Sequence, residues 1–283
     1  MGSSSLMVPR AYKLACQRLE RRHNAFDENA APVPQHLLLR YRVRSGYWTA
    51  LLGVMRIITW NCNRAFRNKV EVLLDLKPDV AVIQECERDL EVPPGYKYIW
   101  TGVLPKMGLG ILTRDLEARV EPQADSNWTF FLPITLPNLR LNLLGTWAFN
   151  GRANKISPGR IGTVAPVLER LAPWLQSGRS VMAGDFNQNI IWDTPRGTNN
   201  FRMIVHRLRQ LGLRSAYHEA TLEGYGAEKH ATHLFRRKAS DQYHIDYCFL
   251  HHSLEWSNVE VKSSPEWCSL SDHFPLVIDV VDP

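Results

Sequence analysis

Seven polar side chains stand beside short apolar segments, and their types are suited to binding a divalent cation and activating water. The apolar segment 57–60 is followed by Asn61, and the segment 80–84 is followed by Glu85. The other members lie beside later apolar segments: Asp185, Asn187, Asp246, Asp272 and His273. Carboxylates are rarely buried unless they are paired or bind a metal, so several at strand ends indicate a shared cation. Oxygen ligands favour Mg²⁺, Mn²⁺ or Ca²⁺ over zinc.

The elements that must position these side chains alternate between strands and helices along residues 55–283. Short apolar runs rich in β-branched residues predict strands, and apolar residues at helical spacing predict helices. We predict helices at 67–76, 161–176 and 198–211, and strands at 57–60, 80–83, 96–100, 107–113, 128–136, 140–148, 180–183, 244–250, 255–262 and 275–281. This alternation indicates an α/β domain with two packed sheets, whose strand ends can hold polar side chains still while exposing them.

Residues 1–54 differ in texture from the rest and are predicted to be a basic N-terminal extension. They contain eight Lys/Arg and three Asp/Glu, whereas residues 55–283, the predicted catalytic domain, contain 26 and 25. The net charge of +6 therefore lies mostly in the extension and says little about what the domain binds. Residues 8–25 have the pattern of a basic amphipathic helix, which could contact nucleic acid, a membrane surface or a partner, or simply pack on the domain. Residues 26–37 have the pattern of a linker.

The composition also bears on whether the protein spans a membrane, is secreted or binds zinc through cysteines. No apolar run is long enough to span a bilayer, and residues 1–54 lack the ordered regions of a secretory signal. The five cysteines are an odd number without the spacing of zinc ligands, which favours reduced thiols. We therefore expect a cytoplasmic, or at least intracellular, protein. The sequence leaves the oligomeric state open.

Five short motifs, in order, resemble those of the endonuclease/exonuclease/phosphatase superfamily. They are Thr59-Trp60-Asn61, Ile83-Gln84-Glu85, Gly184-Asp185-Phe186-Asn187, Ile245-Asp246-Tyr247, and Ser271-Asp272-His273-Phe274-Pro275-Leu276. The superfamily includes pancreatic deoxyribonuclease, abasic-site endonucleases, deadenylases, inositol polyphosphate 5-phosphatases and neutral sphingomyelinases. The resemblance covers about residues 55–283. It implies a four-layer α/β sandwich, in which two packed mixed β-sheets are flanked by helices.

The resemblance also implies a Mg²⁺ cofactor, with Mn²⁺ as a substitute, and roles for the residues that match. Glu85 would bind the metal, and Asn61 and Asp272 would help to hold it or its waters. Asp185, oriented by Asn187, would deprotonate a water that attacks phosphorus in line with the leaving oxygen.

The phosphate side of the implied site is less complete. His273 would donate a hydrogen bond to the phosphate, and Asp246 would hold its other ring nitrogen and favour the protonated ring. Many members have a further histidine after the segment 139–144, where this chain has Trp147, followed by Asn150. Abasic-site endonucleases have a tyrosine and an asparagine there. An indole does not release its N–H proton, so Trp147 could bind substrate or simply pack.

Four basic residues are candidate substrate contacts, with a solvated role as the alternative: Arg152, Lys155, Arg236 and Arg237. The leading hypothesis is a metal-dependent nuclease, because the Trp147/Asn150 pair resembles the abasic-site branch and basic loops flank the predicted site. One alternative is an inositol-phosphate or sphingomyelin phosphoesterase of the same fold, which would have an exposed apolar lip near the site. Another alternative is a catalytically inactive binding protein.

Overall fold

The computed structural model describes residues 41–43, 46–48, 53–122, 127–149, 160–197 and 199–281. Five α-helices lie in these ranges: α1 (Val70–Leu74), α2 (Val164–Gln176), α3 (Phe201–Gln210), α4 (Ala216–Thr221) and α5 (Pro265–Leu270). The predicted helix at 8–25 and linker at 26–37 lie outside the described residues. No helix within the described ranges is both long and apolar enough to cross a membrane.

The first six-stranded sheet contains Asn61, Glu85 and the last strand of the chain. Its order is β15-β16-β3-β4-β6-β5, and only β3 and β4 are parallel neighbours. The strands are β3 (Val54–Asn61), β4 (Val80–Cys86), β5 (Tyr96–Leu104), β6 (Met107–Arg114), β15 (Glu255–Val261) and β16 (Leu276–Val281).

The second six-stranded sheet contains Asp185 and Asp246. Its order is β11-β14-β10-β9-β8-β7, and β9 and β10 are its parallel pair. The strands are β7 (Arg119–Val120), β8 (Phe131–Leu136), β9 (Leu141–Trp147), β10 (Arg179–Asp185), β11 (Leu213–Ser215) and β14 (Asp246–His251). Two hairpins complete the strands: β1 (Tyr41–Val43) with β2 (Gly46–Trp48), and β12 (His233–Leu234) with β13 (Gln242–Tyr243).

Alternation along the strands builds two buried layers. Ile57, Val82 and Ile111 of the first sheet belong to the same apolar cluster as Val181 of the second, and Gly145 of β9 packs directly on Val82 and Ile111. The opposite face of the first sheet buries Trp60 against Phe66 and against Trp267 of α5. The helices α2 and α3 supply buried side chains to the cluster that includes the second sheet. Large apolar areas removed from water on both faces of each sheet hold the site-bearing strands rigid.

The predicted boundaries needed correction in several places. The predicted helix at 67–76 is a 3₁₀ turn (Phe66–Asn68) followed by the short helix α1, because Asn63, Arg64 and Ala65 all have left-handed backbone conformations that end the preceding strand abruptly. The strand predicted from 128 begins at Phe131, and the helix predicted from 161 begins at Val164. The helices α4 and α5 and the β12–β13 hairpin were not predicted, because segments this short have too few residues to show a period.

Candidate active site

The candidate residues meet where the ends of β3 and β4 approach the ends of β10 and β14. Asp185 and Asp246 are direct partners across β10 and β14. From the first sheet, Asn61 Nδ2 lies 3.0 Å from Asp185 Oδ2 and 3.3 Å from Glu85 Oε1. One amide nitrogen therefore joins a carboxylate of each sheet. Its Oδ1 atom accepts a hydrogen bond from the Asn63 N–H at 3.0 Å, which fixes the orientation of the amide.

A β-bulge aims Glu85 at the site. Its φ of 62° is left-handed, and the register with β6 shifts between Gln84 and Cys86. Gln84 is buried and donates a hydrogen bond to Thr59 Oγ1, and the Cys86 side chain is buried in the apolar cluster of the outer face. A bulge inserts one extra residue into a strand and redirects its side chain. Glu85 is that residue, and it lies partly exposed between two buried neighbours.

Asp185 is fully buried and tightly held. The Asn187 N–H donates to Asp185 Oδ1 at 2.8 Å, and Asn187 Nδ2 donates to Asp185 Oδ2 and to the carbonyl of Ala148, each at 3.0 Å. Asn187 reaches both acceptors from a left-handed conformation, with φ of 48°. Burial and the nearby Asp246 carboxylate raise the pKa of Asp185 to about 7, against the opposing effect of His273. A carboxylate with this pKa can accept a proton near neutral pH.

His273 and Asp246 form a buried pair. His273 Nδ1 lies 2.9 Å from Asp246 Oδ2. Burial alone would lower the pKa of His273, but Asp246, with Asp185 and Asp272 adding to its effect, raises that pKa to about 10. The ring is therefore protonated at neutral pH, with Nδ1–H donating to Asp246. Thr232 Oγ1 in turn accepts the backbone N–H groups of Ile245 and Asp246, each at 3.0 Å.

Asp272 and its surroundings lie at the edge of this cluster. Asn63 Nδ2 donates to Asp272 Oδ1 at 2.9 Å, and His233 Nε2 lies 3.9 Å from Asp272 Oδ2. The His233 ring lies beside that of His273, with centroids 4.3 Å apart. Burial, and then the positive charge of His273, lower the pKa of His233 to about 4, so its ring is neutral at neutral pH.

The donor set suits a hard divalent cation. Ligand atoms of Asp185, Asp246 and His273 lie within 4.8 Å of one another. The closeness of Asp246 to His273 is already explained by their shared proton, and a protonated imidazole is not a metal ligand. The carboxylates of Glu85 and Asp185 both border the Asn61 amide, and Asp246 Oδ1 is buried without a hydrogen-bond partner among the described residues. Carboxylate oxygens in this arrangement are the ligands that Mg²⁺ and Mn²⁺ take.

Trp147 packs in the interior. It is 3% exposed, and its ring contacts Phe130 and Phe149 at centroid distances of 5.7 and 4.6 Å. A ring buried on this scale has no free face for a substrate, so the geometry favours packing over substrate contact. Three other predicted contacts, Asn150, Arg152 and Lys155, lie outside the described residues.

The two predicted contacts in the β12–β13 hairpin behave differently from each other. Both have left-handed backbone conformations in the 3₁₀ turn Phe235–Arg237. Arg237 Nη1 donates to the carbonyls of Cys268 and Ser269 at 2.8 and 3.2 Å, which caps the end of α5. Arg236 is exposed, with its guanidinium 5.0 Å from the Phe235 ring centre.

Some supporting residues were not predicted. Ser271 Oγ donates to the carbonyl of Asn61 at 2.7 Å and accepts the N–H of His273 at 3.0 Å, which ties two motifs together. Thr232 and Asn63 act similarly on Asp246 and Asp272. The supporting role of Ser271 could have been suspected from the sequence, because Ser271 directly precedes Asp272 and His273. Nothing in the sequence links Thr232 to Asp246.

Several solved structures share this architecture. The 3′ phosphatase NExo from Neisseria, bound to a product DNA hairpin, has 20% identity and a TM-score of 0.58, covering 79% of this chain and 98% of that one. An AP endonuclease from Archaeoglobus fulgidus has 19% identity and a TM-score of 0.57, with the same coverage. The AP endonuclease LMAP from Leishmania major has 16% identity and a TM-score of 0.61, covering 81% and 88%. No family model matches the chain, and no curated protein matches it in sequence. The predicted α/β sandwich with two mixed sheets is confirmed.

Proposed function

We propose that this chain, which has the fold of the endonuclease/exonuclease/phosphatase superfamily, is a divalent-metal-dependent phosphodiesterase that cleaves nucleic acid. One observation carries the proposal: residues from the two sheets bring together a carboxylate that is fixed by hydrogen bonds and has a raised pKa, and an imidazole that is protonated. Asp185 is the first group and His273 is the second. A base and a cationic hydrogen-bond donor at one point are what hydrolysis of a phosphate ester requires.

Asp185 is the proposed general base. Its two oxygens are oriented by three N–H groups, two from Asn187 and one from Asn61. The carboxylate is therefore already in its reactive position, and no entropy has to be lost to place it during the reaction. It takes a proton from water as the water oxygen forms a bond to phosphorus. The bond from phosphorus to the leaving oxygen breaks on the opposite side.

His273 is the proposed hydrogen-bond donor to the substrate phosphate. Because Nδ1–H is held by Asp246, the proton on Nε2 is available to a phosphate oxygen. A charged donor fixed in a buried position stabilises the negative charge that grows on the phosphoryl oxygens in the transition state.

Glu85 is the proposed principal metal ligand, with Asp272 and Asn61 holding the ion or its waters. The Asn61 amide nitrogen faces Glu85 and Asp185, so its direct contribution is to orient those carboxylates. A Mg²⁺ or Mn²⁺ held there would supply positive charge that offsets the negative charge of the reacting phosphate.

A nucleic-acid substrate is supported by the similar structures, which are a 3′ phosphatase bound to DNA and AP endonucleases. Exposed basic side chains on the β12–β13 hairpin add to that support.

The boundary between residues 1–54 and 55–283 fits the start of β3 at Val54. We propose that residues 55–283 carry the activity.

The test is hydrolysis of a substrate panel with Mg²⁺ or Mn²⁺. The panel contains double- and single-stranded DNA, an abasic-site duplex, RNA, an inositol polyphosphate and sphingomyelin. Controls are EDTA, Glu85→Gln, and Glu91→Gln, which removes the charge of an exposed carboxylate. We expect cleavage of a nucleic acid that EDTA and Glu85→Gln abolish and that Glu91→Gln leaves intact. Activity confined to the inositol or lipid substrates would replace the nuclease proposal, and no activity on any member would favour an inactive binding protein.

A further inference from the structure

A run of neighbouring aromatic rings begins at the candidate catalytic histidine and runs outward along the β12–β13 hairpin, from the largely buried His233 to the exposed Trp192. His233 lies against His273, and His233 and Tyr243 are paired residues of the hairpin, with ring centroids 6.4 Å apart. Tyr243 contacts Trp192, with centroids 4.9 Å apart. We call His233, Tyr243 and Trp192 the aromatic surface.

Its outer member is open to solvent. Trp192 is 46% exposed, and its neighbour Ile191 is 51% exposed. An exposed tryptophan next to an exposed isoleucine loses apolar burial, and such patches mark binding sites. The Trp192 ring packs on Tyr243 yet the residue stays 46% exposed, in contrast to Trp147, which is 3% exposed.

The position of Trp192 is nevertheless fixed. It lies in the 3₁₀ turn Ile190–Trp192, whose start is capped by Asn189 Oδ1 accepting from the Ile191 N–H at 3.2 Å. Asn189 Nδ2 in turn donates to the carbonyl of His244 at 3.0 Å. The turn that carries Trp192 is thus tied to the strand segment that carries Tyr243. The backbone positions of both residues are therefore fixed, and their rings contact each other.

The charge around this surface favours an anionic partner with flat rings. Residues 229–243 contain four Lys/Arg and one Asp/Glu. Lys229 has a side chain that is 79% exposed, although its Nζ atom lies 3.6 Å from Glu223 Oε1, and Arg236 is exposed as well. Cations beside exposed aromatic faces are the combination that binds unstacked nucleotides, in which each base stacks and each phosphate meets a positive charge. The contiguity with His273 places such a nucleotide beside the candidate site.

We propose that the aromatic surface stacks an unpaired nucleobase, so that the enzyme acts at single-stranded or locally unpaired positions in a nucleic acid. This inference rests on the proposed nuclease function. It names the form of the substrate, and it assigns Trp192 as the residue that selects that form. A fully paired duplex keeps its bases stacked on one another and cannot offer one to Trp192 without an unpairing cost.

The test separates stacking from catalysis by measuring binding in EDTA. A single-stranded oligonucleotide containing 2-aminopurine, whose fluorescence is quenched when it stacks, is titrated with the full chain. We expect Trp192→Ala to weaken binding by about 5- to 150-fold, the range of one base–aromatic stack, and to remove the quenching. Trp192→Phe should keep most of both. Met203→Ala, which truncates a 60% exposed apolar side chain of α3, is the matched control and should change neither.

A base-free oligomer with the same sugar–phosphate backbone completes the design. Trp192→Ala should bind it as wild type does, because no base is present to stack. Equal binding of the base-containing oligomer by wild type and Trp192→Ala would overturn the proposal. So would an equal loss on both oligomers, which would indicate a disturbed fold or charge distribution.

The same variants distinguish the other outcomes. Loss of binding to vesicles containing a phosphoinositide, with oligonucleotide binding unchanged, would assign Trp192 to a lipid surface and overturn the proposal. Wild type that quenches 2-aminopurine but hydrolyses nothing with Mg²⁺ or Mn²⁺ would overturn the proposed catalytic function while supporting the stacking role of Trp192.

Discussion

The Nδ1 atom of His273 and the Oδ2 atom of Asp246 lie 2.9 Å apart, and both residues are buried. This contact decides which ring nitrogen is left for a substrate and whether it carries a proton. The backbone of Asp246 is itself held in place, because the residue begins β14 and its N–H donates to Thr232 Oγ1. The pair is therefore a fixed unit.

Replacing Asp246 with Asn should move the pH dependence of activity. The carboxylate raises the pKa of His273 to about 10, whereas burial acts in the opposite direction. Without the carboxylate that pKa falls, so the protonated ring is lost at a lower pH. We expect the basic limb of the kcat/KM profile to shift toward neutrality, with a fall of about 10²–10³-fold in kcat. His273→Gln, which has no titrating ring, should lack that limb, and an unmoved limb in Asp246→Asn would contradict the assignment.

Two substitutions at Asn187 should separate its hydrogen bonds from its backbone conformation. Both Asn187→Ala and Asn187→Gly remove the amide that holds Asp185, so both should lower kcat by about 10- to 100-fold. Only alanine is strained at φ of 48°, so the glycine variant should be the more stable of the two by about 1 kcal/mol. Kinetics and urea unfolding of both variants check this. Full activity in Asn187→Gly would show that the amide does not orient the base.

Glu228 should be a large contributor to stability. Its side chain is 4% exposed, and it accepts hydrogen bonds from the Gly226 N–H at 2.9 Å and from Asn189 Nδ2 at 3.2 Å, with His218 Nε2 at 3.1 Å. Truncation to Ala leaves those groups unpaired, and we expect a loss of about 3 kcal/mol in the free energy of unfolding. Glu219→Ala, at a position that is exposed on α4, is a control that should lose much less.

The Glu228 contribution should also depend on pH. Burial alone would raise its pKa, but hydrogen bonds from His218, Gly226 and Asn189 lower it to about 2. The unfolded state therefore takes up the proton first as the pH falls. The stabilisation is complete above the ordinary glutamate pKa and disappears progressively as the pH falls toward 2. The stability difference between wild type and Glu228→Gln should thus shrink between pH 6 and pH 3, and a constant difference would show that the charge is not involved.

Arg236 and Arg237 should respond oppositely to alanine substitution. Arg237 caps α5, so Arg237→Ala should cost about 1 kcal/mol of stability. Arg236 is exposed, so Arg236→Ala should leave stability unchanged and weaken nucleic-acid binding. It should also flatten the dependence of the binding constant on salt by about one unit of slope. Melting curves and binding isotherms at several salt concentrations measure both effects. The reverse pattern would reassign the two roles.

The strands that carry the site could be predicted because an apolar run followed by Asn61 or Asp185 is visible in the sequence. The bulge at Glu85 could not be predicted, since a left-handed residue inside a strand leaves no mark on a pattern of period two. The contact of Asn63 with Asp272 joins residues 209 positions apart, which depends on the folded sheets. Trp147 was ambiguous for a related reason, because burial among Phe130 and Phe149 is a property of the tertiary structure.

The Asn61 amide touches Glu85 on one sheet and Asp185 on the other. The candidate active site consequently lies at the interface between the two sheets, and it exists only while the sheets remain packed together. A divalent ion held by Glu85 and Asp272 would bind the folded chain and not the unfolded one, so its binding free energy adds to the stability of the fold. Catalytic activity should then vanish at the first loosening of the sandwich, before either sheet loses its own hydrogen bonds. The midpoint of thermal unfolding should rise with the concentration of the ion.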